Sequence, residues 1–285
     1  MNSLILVDAS YTSFYRFFAT LRWFSMNQPD FYKEKKNDVA YDWSQNKIFI
    51  EKYEKMYLDS IIKLISKKEF NTSKIIFCLD SPKDTLWRSK LVDDYKADRV
   101  DLSLKNNFKP TFKLTYEYII PNLIKTYSDK IYSLKMEKLE ADDIIAIICR
   151  HYEKVNDKLK IVLVSGDQDF LQLGRDNLFF INYKTKKHVL LTREEAKEAL
   201  KQKILNGDCS DNICSIFPKD KKVLSLKERK EIMSDDNKLK KYLDEFPDIK
   251  KRYELNQKLI NFDYIPEKLV KLALGKFIQL NLTPK

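Results

Sequence analysis

Residues 4–8, LILVD, open the chain with an apolar run that ends on an aspartate. The arrangement recurs as IIFCLD at 75–80 and as IVLVSGDQD at 161–169. Unbroken runs of Val, Ile and Leu, without polar alternation, are what strands of a parallel sheet look like when both faces are covered. Helical patterns separate them: expected helices cover 10–21, 48–66 and 141–152, and shorter strands are expected at 130–134, 179–182 and 188–191. Strands alternating with helices predict an α/β fold with a mostly parallel central sheet. From 192 onward the pattern is helical, beginning with a Thr192/Glu195 capping box. The expected organisation is therefore an α/β part over 1–191 and a helical lobe over 192–285. Most of 22–57 is polar and aromatic and yields no assignment, while 83–125 is basic, aromatic and weakly periodic.

In parallel α/β sheets, sites form beyond the carboxyl ends of the strands. Asp8, Asp80 and Asp167 fall there. Six more carboxylates cluster nearby in sequence: Glu140, Asp142 and Asp143 in LEADD, Asp169 in GDQD, and Asp208 and Asp211 in GDCSDN. Glu140 and Asp143 are three apart, so a helix starting there carries both on one face. Each acid alone has a local explanation. Asp8 and Asp211 could cap helices, Asp167 and Asp169 could make an Asx turn, and the LEADD acids could complement a helix dipole. Together they imply shared cations, because gathering carboxylates otherwise carries a solvation penalty. An oxygen-rich donor set poor in His and Cys suits Mg²⁺ or Mn²⁺. A formal net charge of +11 favours a polyanionic partner. The joint expectation is a two-metal phosphodiesterase acting on nucleic acid.

At 285 residues and 44% hydrophobic content, the chain can bury one large core and a smaller lobe. Asp8 interrupts the N-terminal apolar run too early for a signal peptide, and no run reaches membrane-span length. No membrane association is expected, and the expected location is cytoplasmic, in host cytoplasm if the source is viral. Cys78, Cys149, Cys209 and Cys214, with two histidines, offer no zinc-ligand spacing. Cys78 and Cys149 read as reduced core residues, and His151 and His188 are left out of the chemistry.

LVDASYTSFYRFFA, WRSKLVDDYKADR, LEADDIIA, VSGDQDFLQL and ILNGDCSDNI, in that order, resemble the successive motifs of the 5′-nuclease (flap endonuclease) superfamily. The second and last of these, with LINFDYIPEKL near the C-terminus, are similar to its ribonuclease H branch from T-even phages. The resemblance spans residues 4–270. It implies a first metal group of Asp8, Asp80, Glu140, Asp142 and Asp143, near the scissile phosphate. A second group would be Asp167, Asp169, Asp208 and Asp211, some of them acting through water. The cofactor implied is Mg²⁺, two ions or more, with Mn²⁺ able to substitute.

Trp87, Arg88, Tyr95, Lys96 and Arg99 are expected on one helix, with Arg88, Tyr95 and Arg99 on a single face. They read either as a solvated amphipathic helix with Trp87 and Tyr95 in the core, or as a surface for phosphate and an unpaired base. The resemblance implies the latter, with Lys96 and Arg99 contacting the scissile phosphate and Arg88 and Tyr95 meeting nucleic acid. Arg16 matches a basic position on the first helix. Residues 100–120 resemble an arch over single-stranded DNA. Its Lys105, Lys109, Lys113, Phe108, Phe112 and Tyr116 either grip the strand or pack the arch. Beyond Asp211, ICSIFPKDKKVLS lacks the glycines of the family's duplex-binding hairpin, which argues against potassium there. Lys219, Lys221 and Lys222 remain as candidate phosphate contacts.

The function expected is a metal-dependent 5′→3′ nuclease removing RNA primers and short 5′ flaps at single-strand/duplex junctions during replication. Its substrates would be DNA and RNA–DNA hybrids with 5′ ends or flaps. Replication partners such as a sliding clamp or single-strand-binding protein dock on longer tails in the family; this sequence ends soon after LINFDYIPEKL. Two rivals are a non-catalytic structure-specific nucleic-acid-binding protein and a PIN-type endoribonuclease.

Overall fold

A computed structural model of the chain describes residues 3–97, 107–218 and 224–282. Its centre is a six-stranded sheet in the order β3-β2-β1-β4-β5-β6. The strands are β1 (Ser3–Asp8), β2 (Lys74–Leu79), β3 (Ile131–Lys135), β4 (Lys160–Val164), β5 (Leu178–Ile181) and β6 (His188–Leu190). The first five pair in parallel, and β6 turns back antiparallel on β5. β1 lies between β2 and β4, so the chain winds outward in both directions from it. The crevice at the carboxyl end of β1 is therefore the switch point of the sheet.

The apolar runs bury alternate residues on opposite faces. Leu4 and Leu6 of β1, Ile76 and Cys78 of β2, and Ile161 and Leu163 of β4 join one core layer. Ile5 and Val7, Ile75 and Phe77, and Val162 and Val164 join the other. The helices are α1 (Ala9–Asn27), α2 (Pro29–Lys35), α3 (Lys47–Ile65), α4 (Lys67–Thr72), α5 (Lys109–Leu114), α6 (Ile120–Thr126) and α7 (Ala141–Val155). They continue with α8 (Arg193–Asn206), α9 (Leu226–Ser234), α10 (Asp236–Glu245), α11 (Pro247–Ile260) and α12 (Glu267–Gln279). Phe17, Leu21 and Phe24 of α1 and Tyr53, Tyr57 and Ile61 of α3 cover one face of the sheet. Ile144, Ile145 and Ile148 of α7 cover the other, joined from far along the chain by Ala273 and Phe277 of α12. The last helix thus belongs to the sheet's own core. The helical region has a separate small core of Leu205, Ile216, Phe217, Leu239 and Leu243. The unassigned stretch after residue 22 extends α1, then forms α2 and a 3₁₀ turn at Trp43–Gln45.

The expected helix around residues 87–99 is corrected. Arg88–Lys90 is a single 3₁₀ turn, irregular backbone follows, and Lys96 takes φ 56°. The residues converge on one point instead of lining a helix face. Lys96 N–H donates to the Asp211 carbonyl at 3.1 Å, and Lys83 Nζ donates to the Lys96 carbonyl at 2.9 Å. Of the arch expectation, residues 98–106, including Arg99 and Lys105, lie outside the described residues. So do Lys219, Lys221 and Lys222.

Candidate metal-dependent active site

Local structure explains where each acid stands. Asp8 closes β1 and caps α1, its Oδ1 accepting the Tyr11 N–H at 2.9 Å and its Oδ2 the Ser165 hydroxyl at 3.1 Å. Asp80 follows β2; its Oδ1 accepts the Ala141 N–H at 2.6 Å, at the head of α7, and its Oδ2 accepts from Ser10 Oγ. Glu140 and Asp143 form a capping box on α7. Asp167 caps the 3₁₀ turn Gln168–Leu173, and Asp208 caps Cys209–Asp211. The local roles weighed for Asp8, Asp167 and the acids of LEADD are thus real, while the cap expected of Asp211 is made by Asp208. Capping engages only part of each carboxylate, because its two oxygens have about four acceptor sites.

Tertiary structure then brings the acids together. Ligand atoms of Glu140, Asp142 and Asp143 lie within 4.8 Å of one another, and those of Asp169, Asp208 and Asp211 form a second such group. Gly166 lets the loop after β4 close on α1, since a Cβ there would collide with the Tyr11 ring.

The two groups are wired unequally. Asp143 is fully buried and ion-paired: its Oδ2 accepts Trp87 Nε1 and Arg88 NH1, both at 2.9 Å, and its Oδ1 pairs with Arg88 NH2 at 2.7 Å. Glu140 Oε2 accepts Arg88 NH1 and the Tyr95 hydroxyl, each at 2.9 Å, and Oε1 pairs with Lys96. Burial pushes Glu140 up, but Lys96 and Arg88 outweigh it and bring its pKa down to about 2. Asp142 has no such ion pair among the described residues. Burial and then the neighbouring Glu140 and Asp143 charges hold its pKa well above the carboxylate range. Burial and Asp80 likewise raise Asp8 to about 7, and burial raises Asp80. Lys96 Nζ lies 3.5 Å from Asp211 as well, so it spans the two groups. In the second group Lys203, from the last turn of α8, pairs with Asp169 and with Asp208 at 2.8 Å. Burial pushes Asp208 up, yet hydrogen bonds from Lys203 and Ser210 hold it below its usual value.

The donor set fits hard divalent cations. It consists of carboxylate oxygens without His or Cys, and Asp8, Asp80 and Asp142 resist ionising in the bare protein, through burial first and then the charges of neighbouring acids. Both groups sit beyond the carboxyl edge of the parallel sheet.

The basic candidates are placed differently from expectation. Arg88 is 2% exposed, donates to Glu140, Asp143 and the Leu259 carbonyl, and does not face solvent. Tyr95 is equally buried and bonds Glu140 and Asp211. Burial desolvates both side chains, and their hydrogen bonds point inward at the acids; the nucleic-acid role expected of them does not match this placement. Lys96 is in the acidic site. Arg16 is buried beside the Tyr15 ring, and its Nε has no hydrogen-bond partner among the described residues. Phe108 and Phe112 pack on each other, with Phe108 also edge-on to Phe14, so these aromatics fasten the segment to α1. Ser10, Ser165 and Lys203 were missed by sequence reasoning, and Tyr116, expected to grip the strand or pack the arch, meets Ser10 instead. Of these only Lys203, in KILNGD just ahead of Asp208, carried a local signal.

Comparison with known proteins gives matches over most of the chain. The family described as 5′-3′ exonuclease, N-terminal resolvase-like domain, matches residues 3–201. The chain is 26% identical over 254 residues to the ribonuclease H of Enterobacteria phage T4, covering 85% of this chain and 82% of that protein. It is 32% identical over 163 residues to a 5′-3′ exonuclease of Buchnera aphidicola, covering 54% of this chain and 51% of that protein. Among solved structures, the T5 5′-exonuclease with bound zinc ions superposes with TM-score 0.61 at 14% identity, covering 98% of this chain and 99% of that one. A bacteriophage T5 flap endonuclease complexed with DNA and metal ions superposes with TM-score 0.62 at 14% identity, covering 99% and 100%.

Proposed function

The chain belongs to the 5′-3′ exonuclease family through its N-terminal resolvase-like domain, and from that premise we propose that its nuclease activity is Mg²⁺-dependent removal of RNA primers and 5′ flaps at single-strand/duplex junctions during replication. The observation that carries the reading is the pair of carboxylate groups at the sheet's carboxyl edge, spanned by one buried lysine.

In this reading Asp8, Asp80, Glu140 and Asp142 hold the first cation group, and Asp143 holds Arg88, which fixes Glu140. Asp167, Asp169, Asp208 and Asp211 serve the second. Mg²⁺, or Mn²⁺ in its place, supplies Lewis-acid charge neutralisation and lowers the pKa of water. Lys96 in the bare protein neutralises Glu140 and Asp211. Cations held by these acids would take over that neutralisation, and the Lys96 ammonium would then be placed to donate to a phosphate oxygen and stabilise charge growing there. Arg99, Lys219, Lys221 and Lys222 remain candidate phosphate contacts, and the helices after Thr192 the side that meets duplex. No described helix is long and apolar enough to cross a membrane, and cytoplasmic action beside a clamp or single-strand-binding protein completes the reading.

The test is cleavage of a 5′-labelled flap duplex and an RNA–DNA hybrid in Mg²⁺ or EDTA, using wild type and Asp142→Asn. Products near the junction that need Mg²⁺ and vanish in the variant are expected. Cleavage that survives EDTA, or that favours unstructured single-stranded RNA, would overturn the reading.

A further inference from the structure

A chain of hydrogen bonds ties Tyr116, between α5 and α6, to the acidic site. Tyr116 Oη lies 2.6 Å from Ser10 Oγ, and Ser10 Oγ hydrogen-bonds Asp80 Oδ2. The direction of this chain is fixed by counting protons. A serine hydroxyl has one hydrogen, and in the ionised form that a cation would need, the Asp80 carboxylate can only accept. Ser10 therefore donates to Asp80 and must accept from Tyr116. Burial and the nearby Asp80 charge raise the Tyr116 pKa, so the phenol keeps its proton. The other oxygen of Asp80 is held by the Ala141 N–H. The carboxylate is thus gripped from two sides, by the head of α7 and by a relay that begins on a different element.

That element has unusual backbone. Between α5 and α6, Thr115–Ile119 forms one turn of π-helix, with the Ile120 N–H donating to the Thr115 carbonyl. Pro121 supplies a cause: it has no N–H for the 117 carbonyl, and its ring crowds that oxygen in a regular α-turn. Thr115 adds a second, by bonding its hydroxyl to the Thr111 carbonyl and to Tyr53 Oη. A π-turn holds an extra residue, which changes the angular position of what it contains. Here Thr115 turns to the α3 side while Tyr116 reaches Ser10 at the start of α1.

We propose that Tyr116 is a positioning residue for the metal-dependent reaction: through Ser10 it sets the orientation of the Asp80 carboxylate, and so makes cation affinity depend on the seating of the π-turn against α1. The inference rests on the reading of Asp80 as a cation ligand. Ligating carboxylates are held by hydrogen bonds from outside the coordination sphere, and losing such a bond weakens metal binding by roughly 10–100-fold.

The experiment is a titration of the full chain with Mn²⁺, following free ion by electron paramagnetic resonance. The proteins are wild type, Tyr116→Phe, Ser10→Ala, the double variant and Asp80→Asn, each checked for a wild-type circular dichroism spectrum and a cooperative thermal transition in EDTA. Tyr116→Phe keeps the ring and its packing. It is expected to weaken Mn²⁺ binding about tenfold, as is Ser10→Ala, with the double variant no worse than either because the two act in series. Excess Mn²⁺ should restore cleavage by Tyr116→Phe. Wild-type affinity in Tyr116→Phe, while Asp80→Asn loses binding, would overturn the relay alone, as would additive losses in the double variant. Undiminished binding in Asp80→Asn would overturn both the relay and the ligand assignment beneath it, leaving the nuclease reading to the cleavage assay.

Discussion

Asp142 and Asp143 are neighbours in sequence and opposites in environment. Asp143 is ion-paired with Arg88 and accepts Trp87 Nε1, whereas Asp142 faces the charges of Glu140 and Asp143 without a pairing cation of its own among the described residues. Replacing each therefore tests a different thing. Asp142→Asn removes a charge that the bare fold resists, so its thermal midpoint in EDTA should rise while its Mg²⁺-induced shift and its cleavage are lost. A differential scanning calorimetry pair, with and without Mg²⁺, reads both. Arg88→Ala should instead destabilise by about 3–5 kcal/mol, the loss seen when one partner of a buried ion pair is removed. Chemical denaturation of the DNA-free protein measures this; unchanged stability would return Arg88 to the phosphate-contact role.

At the scale of elements, α12 is the surprise. It ends the described chain, yet Phe277 is 4% exposed and packs with Tyr152 and His151 of α7, the helix that presents Glu140, Asp142 and Asp143. Phe277→Ala should cost about 3–5 kcal/mol through the cavity it leaves, and should loosen α7 from its C-terminal side. Urea unfolding gives the stability, and hydrogen exchange of the α7 amides reports the loosening. A lobe independent of the sheet would show neither effect on α7. The 3₁₀ turn at Arg88–Lys90 carries the complementary lesson. Its spacing suits an amphipathic helix, but bonds from Arg88 and Tyr95 to Glu140, and from the Lys96 N–H to the Asp211 carbonyl, outcompete regular helix geometry.

For the whole molecule, the acidic site makes stability depend on pH and metal together. Asp8, raised to about 7 in the bare protein, contributes stability that is full below its unfolded value near 3.8 and lost as pH rises through 7. The raised Asp80 and Asp142 act in the same direction. Glu140, lowered to about 2, does the reverse: its contribution is present above its unfolded value near 4.5 and lost as pH falls through 2. In EDTA the thermal midpoint should therefore be higher at pH 5 than at pH 8. Mg²⁺ should lift the pH 8 value most, because cations compete with those protons. A midpoint in EDTA that climbs from pH 5 to pH 8 would contradict the shifts of all three aspartates.

Much of this was legible in the chain itself. The runs ending at Asp8, Leu79 and Val164 already placed the parallel strands, because burial on both faces demands unbroken apolar residues. The acids at and just beyond their carboxyl ends marked the site, because chain direction and side-chain chemistry are both local facts. What the sequence could not reveal is which charges neutralise which. Arg88 and Tyr95 look like exposed helix residues until the fold turns them onto Glu140, 45 or more positions away. Ser10 and Tyr116 carry no pattern tying them to the acids they meet, and α12 carries none that seats it beside α7. Periodicity records which face of an element is buried. Only tertiary packing decides which distant group lies opposite it, and with that pairing comes the pKa of each acid and its readiness to hold a cation.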